Sequence, residues 1–169
     1  MSDLSNDRLV VLDEPTLVWA FLASSSTFAE YPRPPARSSN PHADALGVAV
    51  HHQQWGLVVT VEQLKHVGDA LAATTGLGAP SVARYIVAIR NLTAVSRGGI
   101  VAAAGDDPLA EGYPSHVRRA AHAAIWADVD AVVLSDVDEA LRTRVMTDLG
   151  SDRWVSGPRA FADYAPFIS

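Results

Sequence analysis

The feature that most constrains the fold is an apolar run that ends in a carboxylate. Residues 9–12 are all apolar, and Asp13 follows them directly. A segment with no polar residue on either face is typical of a strand buried on both sides of a parallel sheet. Pro15 suits the first turn of a following helix. The sequence therefore predicts that Asp13 lies at the carboxyl end of a central strand, where open α/β sheets bind their ligands.

A second apolar run late in the chain also ends in acid. Residues 131–134 are apolar, and Asp136 and Asp138 follow within four positions. The carboxyl ends of parallel strands share one edge, so these acids can converge with Asp13. Carboxylates held together repel one another, and a divalent cation relieves that repulsion. Oxygen ligands suit Mg²⁺ or Mn²⁺ better than zinc, and such a site can activate water for phosphodiester hydrolysis.

The alternative role of Asp13 and Asp136 is structural. Each carboxylate can cap the helix that follows its strand, because the free backbone N–H groups at a helix start donate hydrogen bonds to carboxylate oxygens. A cap is the better account of one isolated acid after a strand. Two buried strands that are each followed by an acidic residue favour a metal-binding site.

The rest of the chain alternates between strand and helix patterns. The predicted strands cover residues 8–13, 55–60 and 131–134, with shorter ones at 94–95, 100–102 and 154–155. The predicted helices cover residues 14–23, 41–52, 61–74, 80–92, 115–129, 138–149 and 159–164, with Ser115 as an N-cap. This alternation predicts an α/β fold, a three-layer α/β/α arrangement around a central parallel sheet. We assign residues 1–169 to a single domain, with a proline- and serine-rich loop insertion at 24–41 that can be a lid, a dimer contact or disordered.

Composition narrows the functional classes. The chain has no cysteine, no apolar run near the ~20 residues of a membrane helix, and no signal-like N-terminus. We therefore expect a cytoplasmic protein without membrane contact. The formal charge of −6 argues against a broadly positive surface of the kind that binds nucleic acid. The arginines are clustered, however, so a local basic patch is still compatible with the sequence.

The order of these segments resembles the PIN domain, the fold of many small bacterial ribonucleases, including toxins of the VapC type. The similar segments are the opening strand and helix at 10–22, the second strand and helix start at 56–64, the acid-tipped strand at 130–138 and the closing segment at 156–161. The resemblance covers nearly the whole chain. It implies metal-dependent RNA hydrolysis, and it suggests a neighbouring antitoxin as protein partner.

One predicted helix has a face of small residues, which indicates close helix packing within the fold or a homodimer surface. Its residues are Ala120, Ala123, Ala124 and Ala127.

The resemblance also transfers site residues, one position at a time. Its first acid falls on Asp13 and its last on Asp136, beside Asp138, so Asp13 and Asp136 are the predicted catalytic residues. Its second acid falls nearest His66, with Glu62 and Asp69 on the same helical face. Its third falls where the chain has no carboxylate and offers instead Ser115, His116, Arg118 and Arg119. The predicted ligands of a weak Mg²⁺ or Mn²⁺ site are Asp13, Glu62, His116, Asp136 and Asp138.

Of the four acid positions that the resemblance implies, two are retained and two are altered, and these two groups favour different functions. The kept acids favour a divalent-metal-dependent ribonuclease with a weakened site, in which Arg118 opposes the metal but attracts phosphate. The altered positions favour a non-catalytic PIN-like module that binds RNA or a protein partner. A third possibility is another open α/β fold that uses Mg²⁺ for phosphoryl transfer, although the order of the late segments fits it less well.

Overall fold

Five parallel strands form the sheet of the computed structural model. The structure describes residues 8–22, 38–74, 76–104, 109, 112–135, 137–150 and 152–168. Asp136 and residues 24–37 of the predicted loop lie outside this range. The strands are β1 (Arg8–Leu12), β2 (Trp55–Thr60), β3 (Gly99–Val101), β4 (Ala131–Val133) and β5 (Trp154–Ser156). Their order is β3-β2-β1-β4-β5, and each neighbouring pair is parallel.

Among the residues described, seven helices cover the two faces of this sheet. They are α1 (Glu14–Leu22), α2 (Pro41–His51), α3 (Val61–Ala72), α4 (Ala79–Val95), α5 (Ser115–Ala127), α6 (Glu139–Leu149) and α7 (Pro158–Tyr164), which leads into a short 3-10 turn. The predicted α/β class, with a parallel sheet between two helical layers, is confirmed. In the part of the chain described, no helix is both long and apolar enough to cross a membrane.

Two local predictions were wrong. Residues 94 and 95 are not a strand but the last residues of α4, which runs past its predicted end, and Val95 is exposed there. Ser115 is not the N-cap of α5, because that position belongs to Pro114, which makes no side-chain cap. An apolar pair is a weak signal for a strand, and here the pair continues a helix. A lone serine is a weak signal for an N-cap, and helix ends predicted from sequence are uncertain by one or two residues.

The central strands β2 and β4 are buried throughout, and β1 is buried from Val10 onward, which explains why these strands show no alternation of polar and apolar residues. In β1, Val10 and Leu12 pack in one cluster with side chains of α1, α2, α3, α4 and α7. Val11 packs in the other cluster, with α5 and α6. The alanine face of α5 belongs to this second cluster, and its residues Ala120, Ala123 and Ala124 are completely buried there. This face packs within the fold.

The strand order creates a switch point beside β1. The chain leaves β1 through α1 and α2 toward β2 on one side, and it returns later to place β4 on the other side. Open α/β sheets bind ligands in the crevice at such a point, outside the carboxyl ends of the strands. Asp13 lies there, and its backbone N–H donates to the carbonyl of Val133 at the end of β4 (3.0 Å).

Candidate functional site

Asp13 is the central residue of the crevice. Its side chain is completely buried, and both carboxylate oxygens accept hydrogen bonds. Oδ1 accepts from the backbone N–H of Thr16 (3.0 Å) and from the Thr16 hydroxyl (2.6 Å). Oδ2 accepts from the backbone N–H of Ser135 (2.8 Å), just beyond β4. Asp13 therefore caps α1, as the structural alternative predicts, and it also ties α1 to the end of β4.

Burial makes the carboxyl of Asp13 a weaker acid than an ordinary aspartate. Desolvation raises its pKa to about 7, although the hydrogen bonds from Thr16 and Ser135 act in the opposite direction. A carboxyl that exchanges its proton near neutral pH is characteristic of functional sites. The Thr16 cap alone does not require this burial, because an exposed aspartate caps a helix equally well.

Glu14 is a second buried acid at the same edge, and it is not among the site residues predicted from the sequence. Its Oε1 lies 2.5 Å from Nε of Arg119, which reaches it from α5. Burial raises the pKa of Glu14, and the charge of Arg119 lowers it. Its Oε2 is buried and has no hydrogen-bond partner among the residues that the structure describes. Arg119, one of the two arginines that the sequence offers at this position, therefore reaches the site, and the suggested role of Arg118 stays a prediction.

His116 lies beside Asp13, and Glu62 lies near enough to Glu14 for its charge to raise the pKa of that acid. Nε2 of His116, in the first turn of α5, is 3.9 Å from Oδ2 of Asp13, and the His116 side chain is 28% exposed. Glu62, in the first turn of α3, is 62% exposed and lies 3.9 Å from Nε2 of His66. The structure therefore brings His116 next to Asp13, whereas Glu62 stays at the solvent side, paired with His66.

Of the two late acids, Asp136 and Asp138, the structure describes only Asp138. Asp138 is exposed and forms the N-cap of α6, where its Oδ1 accepts a hydrogen bond from the backbone N–H of Leu141 (2.7 Å). Its role as a metal ligand stays a prediction. Asp136 lies outside the described residues, so its role as a catalytic residue and ligand also stays a prediction.

The described donors fit a divalent cation only in part. Within the described ranges, no three histidine or acidic side chains are grouped so that they could hold a metal ion. Asp13 and His116 supply two adjacent donors, and Glu14 is neutralised by Arg119. Mg²⁺ requires close to six oxygen ligands, several of them water, and a neighbouring cation works against it. These residues alone do not form a complete metal site.

Comparisons of the chain with protein-family models, with curated proteins and with solved structures found no match. The functional proposal therefore rests on the residues at the carboxyl ends of the strands. That edge holds a buried carboxyl with a pKa near 7, a histidine beside it, and a second buried acid paired with an arginine.

Proposed function

We propose that this chain is a PIN-like protein that binds RNA and hydrolyses it weakly with the help of Mn²⁺ or Mg²⁺. The observation that supports the proposal is the burial of Asp13 at the switch point, with His116 beside it. Carboxyl groups with raised pKa in a crevice of this kind are candidates for chemistry on a ligand. The predicted catalytic partner, Asp136, follows Ser135, whose backbone N–H binds Asp13.

The weakness of the proposed activity follows from the contacts of the two buried acids. Three hydrogen bonds already occupy Asp13, and its proton competes with a cation at neutral pH. Arg119 neutralises Glu14, so that this acid contributes no net negative charge to the site. A bound divalent cation would supply an activated water and would stabilise phosphate charge. Histidine nitrogen suits Mn²⁺ better than Mg²⁺, so Mn²⁺ is the preferred ion.

A metal titration tests this proposal. Metal-stripped protein is titrated with Mn²⁺ and with Mg²⁺ by calorimetry at pH 6, 7 and 8. We expect Mn²⁺ to bind more tightly than Mg²⁺, with an affinity that rises about tenfold from pH 6 to pH 8, because the metal must displace the proton of Asp13. The rise should level off toward pH 8, where most of Asp13 is ionised.

Three variants locate the site in that titration. Asp13→Asn and Asp136→Asn should lose Mn²⁺ binding. Asp44→Asn is the matched control, because Asp44 is also buried but is bound to Arg159 (2.8 Å) and to the Ser38 hydroxyl (2.7 Å). The absence of binding at millimolar Mn²⁺ would contradict the metal-dependent proposal, and so would equal binding by wild type and Asp13→Asn.

A second candidate is a non-catalytic PIN-like module that binds RNA or a protein partner. The ion pair between Glu14 and Arg119 favours it, because that pair removes one acid from any role as an anionic ligand. RNA binding without metal binding or cleavage would support this candidate over the first.

The proposal extends to partners and location. A neighbouring antitoxin, a homodimer and a cytoplasmic site of action belong to it through the resemblance to small bacterial ribonucleases. The buried alanines of α5 already pack inside the fold, so a homodimer would use another surface. Trp126, at the end of α5, is half exposed and is one apolar side chain available for such a contact.

A further inference from the structure

A cleft of about 780 Å³ lies between α6 and α7, beyond the carboxyl ends of β4 and β5. Ser135 and Ser156 line it at the sheet edge, and Arg142 and Tyr164 line it from the two helices. Ser135 also joins the cleft to the site described above, because its backbone N–H donates to Asp13 while the residue lines the cleft. The volume falls within the range of small-molecule binding pockets.

Two residues at this edge of the cleft carry buried serine hydroxyls. Ser135 and Ser156 are 1% and 4% exposed, and neither Oγ has a hydrogen-bond partner among the residues described. They belong to adjacent strand ends, since the backbone N–H of Leu134 donates to the carbonyl of Ser156 (2.9 Å). A buried hydroxyl without a partner is unfavourable for folding, so two of them on residues that line one cleft indicate a ligand that accepts hydrogen bonds from them.

Arg142 supplies a positive charge to the same cleft. Within the described part of the chain its guanidinium forms no ion pair or hydrogen bond, and Gly157 leaves room for it. A Cβ at Gly157 would lie 3.0 Å from Nη1 of Arg142. The other arginine of the cleft, Arg159, is already held by Asp44 (2.8 Å) and by the carbonyl of Ser38 (3.0 Å). Arg142 is therefore the cation available to an anionic ligand.

The remaining residues of the cleft define the size and charge of that ligand. Glu139 and Asp163 also line the cleft, and Asp163 lies 3.7 Å from Arg159. These acids leave one phosphate group as the anion that the cleft itself can hold, and they disfavour a second phosphate inside it. Trp154 and Tyr164 add aromatic surface, and Tyr164 is 65% exposed. A partly exposed ring next to a phosphate site is suited to stacking with a nucleobase.

We propose that this cleft binds one nucleotide unit, with its phosphate held by Arg142, Ser135 and Ser156 and its base against Tyr164. The inference deepens the proposed function and rests on it for the natural source of the nucleotide, which would be an RNA strand that continues toward Asp13. The binding itself needs neither a metal ion nor cleavage. The two proposals can therefore fail separately.

The test measures nucleotide binding by protein kept free of metal with a chelator. Adenosine monophosphate, inorganic phosphate and a short 2′-O-methyl oligoribonucleotide are titrated by calorimetry into wild type and variants. Arg142→Gln should weaken adenosine monophosphate binding about tenfold, because a charged hydrogen bond to phosphate is lost. Arg144→Gln is the matched control on the same helix, since the Arg144 guanidinium lies over the ring of Tyr113 instead (4.9 Å). It should bind like wild type.

Two further variants separate phosphate from base recognition. The pair Ser135→Ala and Ser156→Ala should weaken both phosphate and adenosine monophosphate. Tyr164→Ala should weaken adenosine monophosphate and leave inorganic phosphate unchanged. Tighter binding of the oligonucleotide than of the mononucleotide would support an RNA strand as the source, and equal binding would support a free nucleotide in the same cleft.

Two results would overturn the inference. One is the lack of saturable binding of either adenosine monophosphate or phosphate up to about 10 mM, a weaker interaction than specific sites show. The other is an equal loss of binding in Arg142→Gln and Arg144→Gln, which would mean that only overall charge matters. Retained nucleotide binding by a protein that neither binds metal nor cleaves RNA would refute the proposed catalysis and leave the cleft assignment intact.

Discussion

Between pH 5 and pH 8, the wild-type chain should lose about 3 kcal/mol of stability relative to an Asp13→Asn variant. The cause is the burial of Asp13, which raises its pKa from 3.8 in the unfolded chain to about 7 in the folded one. The folded state keeps a proton that the unfolded state releases. This contribution is fully present below pH 3.8, falls as the pH rises, and is lost once the pH passes 7.

Urea unfolding at pH 5, 6, 7 and 8 measures this difference. The amide introduced by Asp13→Asn would face the backbone N–H of Ser135, so the variant carries a penalty that does not depend on pH. Only the change of the difference with pH is diagnostic. An Asp138→Asn variant controls for the removal of an aspartate, because Asp138 is the exposed cap of α6. A difference between Asp13→Asn and wild type that stays constant with pH would show that Asp13 is ionised throughout and is not desolvated.

Replacement of Arg119 by glutamine should destabilise the protein by about 3 kcal/mol at pH 8. Glu14 is buried, and without the guanidinium at 2.5 Å its charge has no compensation. The loss should be smaller at pH 5. Without the charge of Arg119, which lowers the pKa of Glu14 against the effect of burial, that acid takes up a proton more easily. A second change, Glu14→Gln, should recover most of the lost stability, because the uncompensated charge is then removed.

A double-mutant cycle with denaturant unfolding tests this coupling. Arg153→Gln is the comparison, because its acidic partner Asp128 is 90% exposed and keeps its hydration when the arginine is removed, although the variant also loses a hydrogen bond to the carbonyl of Leu149 (3.0 Å). An effect of Arg119→Gln no larger than that of Arg153→Gln would contradict the account, as would a failure of Glu14→Gln to recover stability. A strong coupling would mean that Glu14 is committed to Arg119 and is not available as a metal ligand.

The fold was largely predictable because its strands carry a strong signal. Continuous apolar runs bounded by acid or turn residues identified β1, β2 and β4, and the β2 prediction of 55–60 agrees with the structure residue for residue. Such runs have no polar face because both sides are buried. The predictions failed where the signal was a single short pair, as at residues 94–95. Those residues continue α4, since nothing in the sequence breaks the helix before Ser96.

The candidate site was predictable only in part. Asp13 was identified because it follows a strand directly, and its place at the switch point agrees with that prediction. Glu14 was missed because one acidic residue in a first turn looks like an ordinary partner of the helix dipole. Its partner, Arg119, is 105 positions away, and only the packing of α5 brings the two together. The cleft with Ser135, Ser156 and Arg142 joins distant segments in the same way.

The most direct measurement is the cleavage of a labelled single-stranded RNA in Mn²⁺, by wild type and by Asp13→Asn, at pH 6 and pH 8. We expect slow cleavage by wild type, about tenfold faster at pH 8 because Asp13 must lose its proton. Cleavage should be slower in Mg²⁺ and absent with a chelator or in the Asp13→Asn variant. Wild-type cleavage no faster than that of Asp13→Asn at either pH would contradict a metal-dependent ribonuclease built on Asp13.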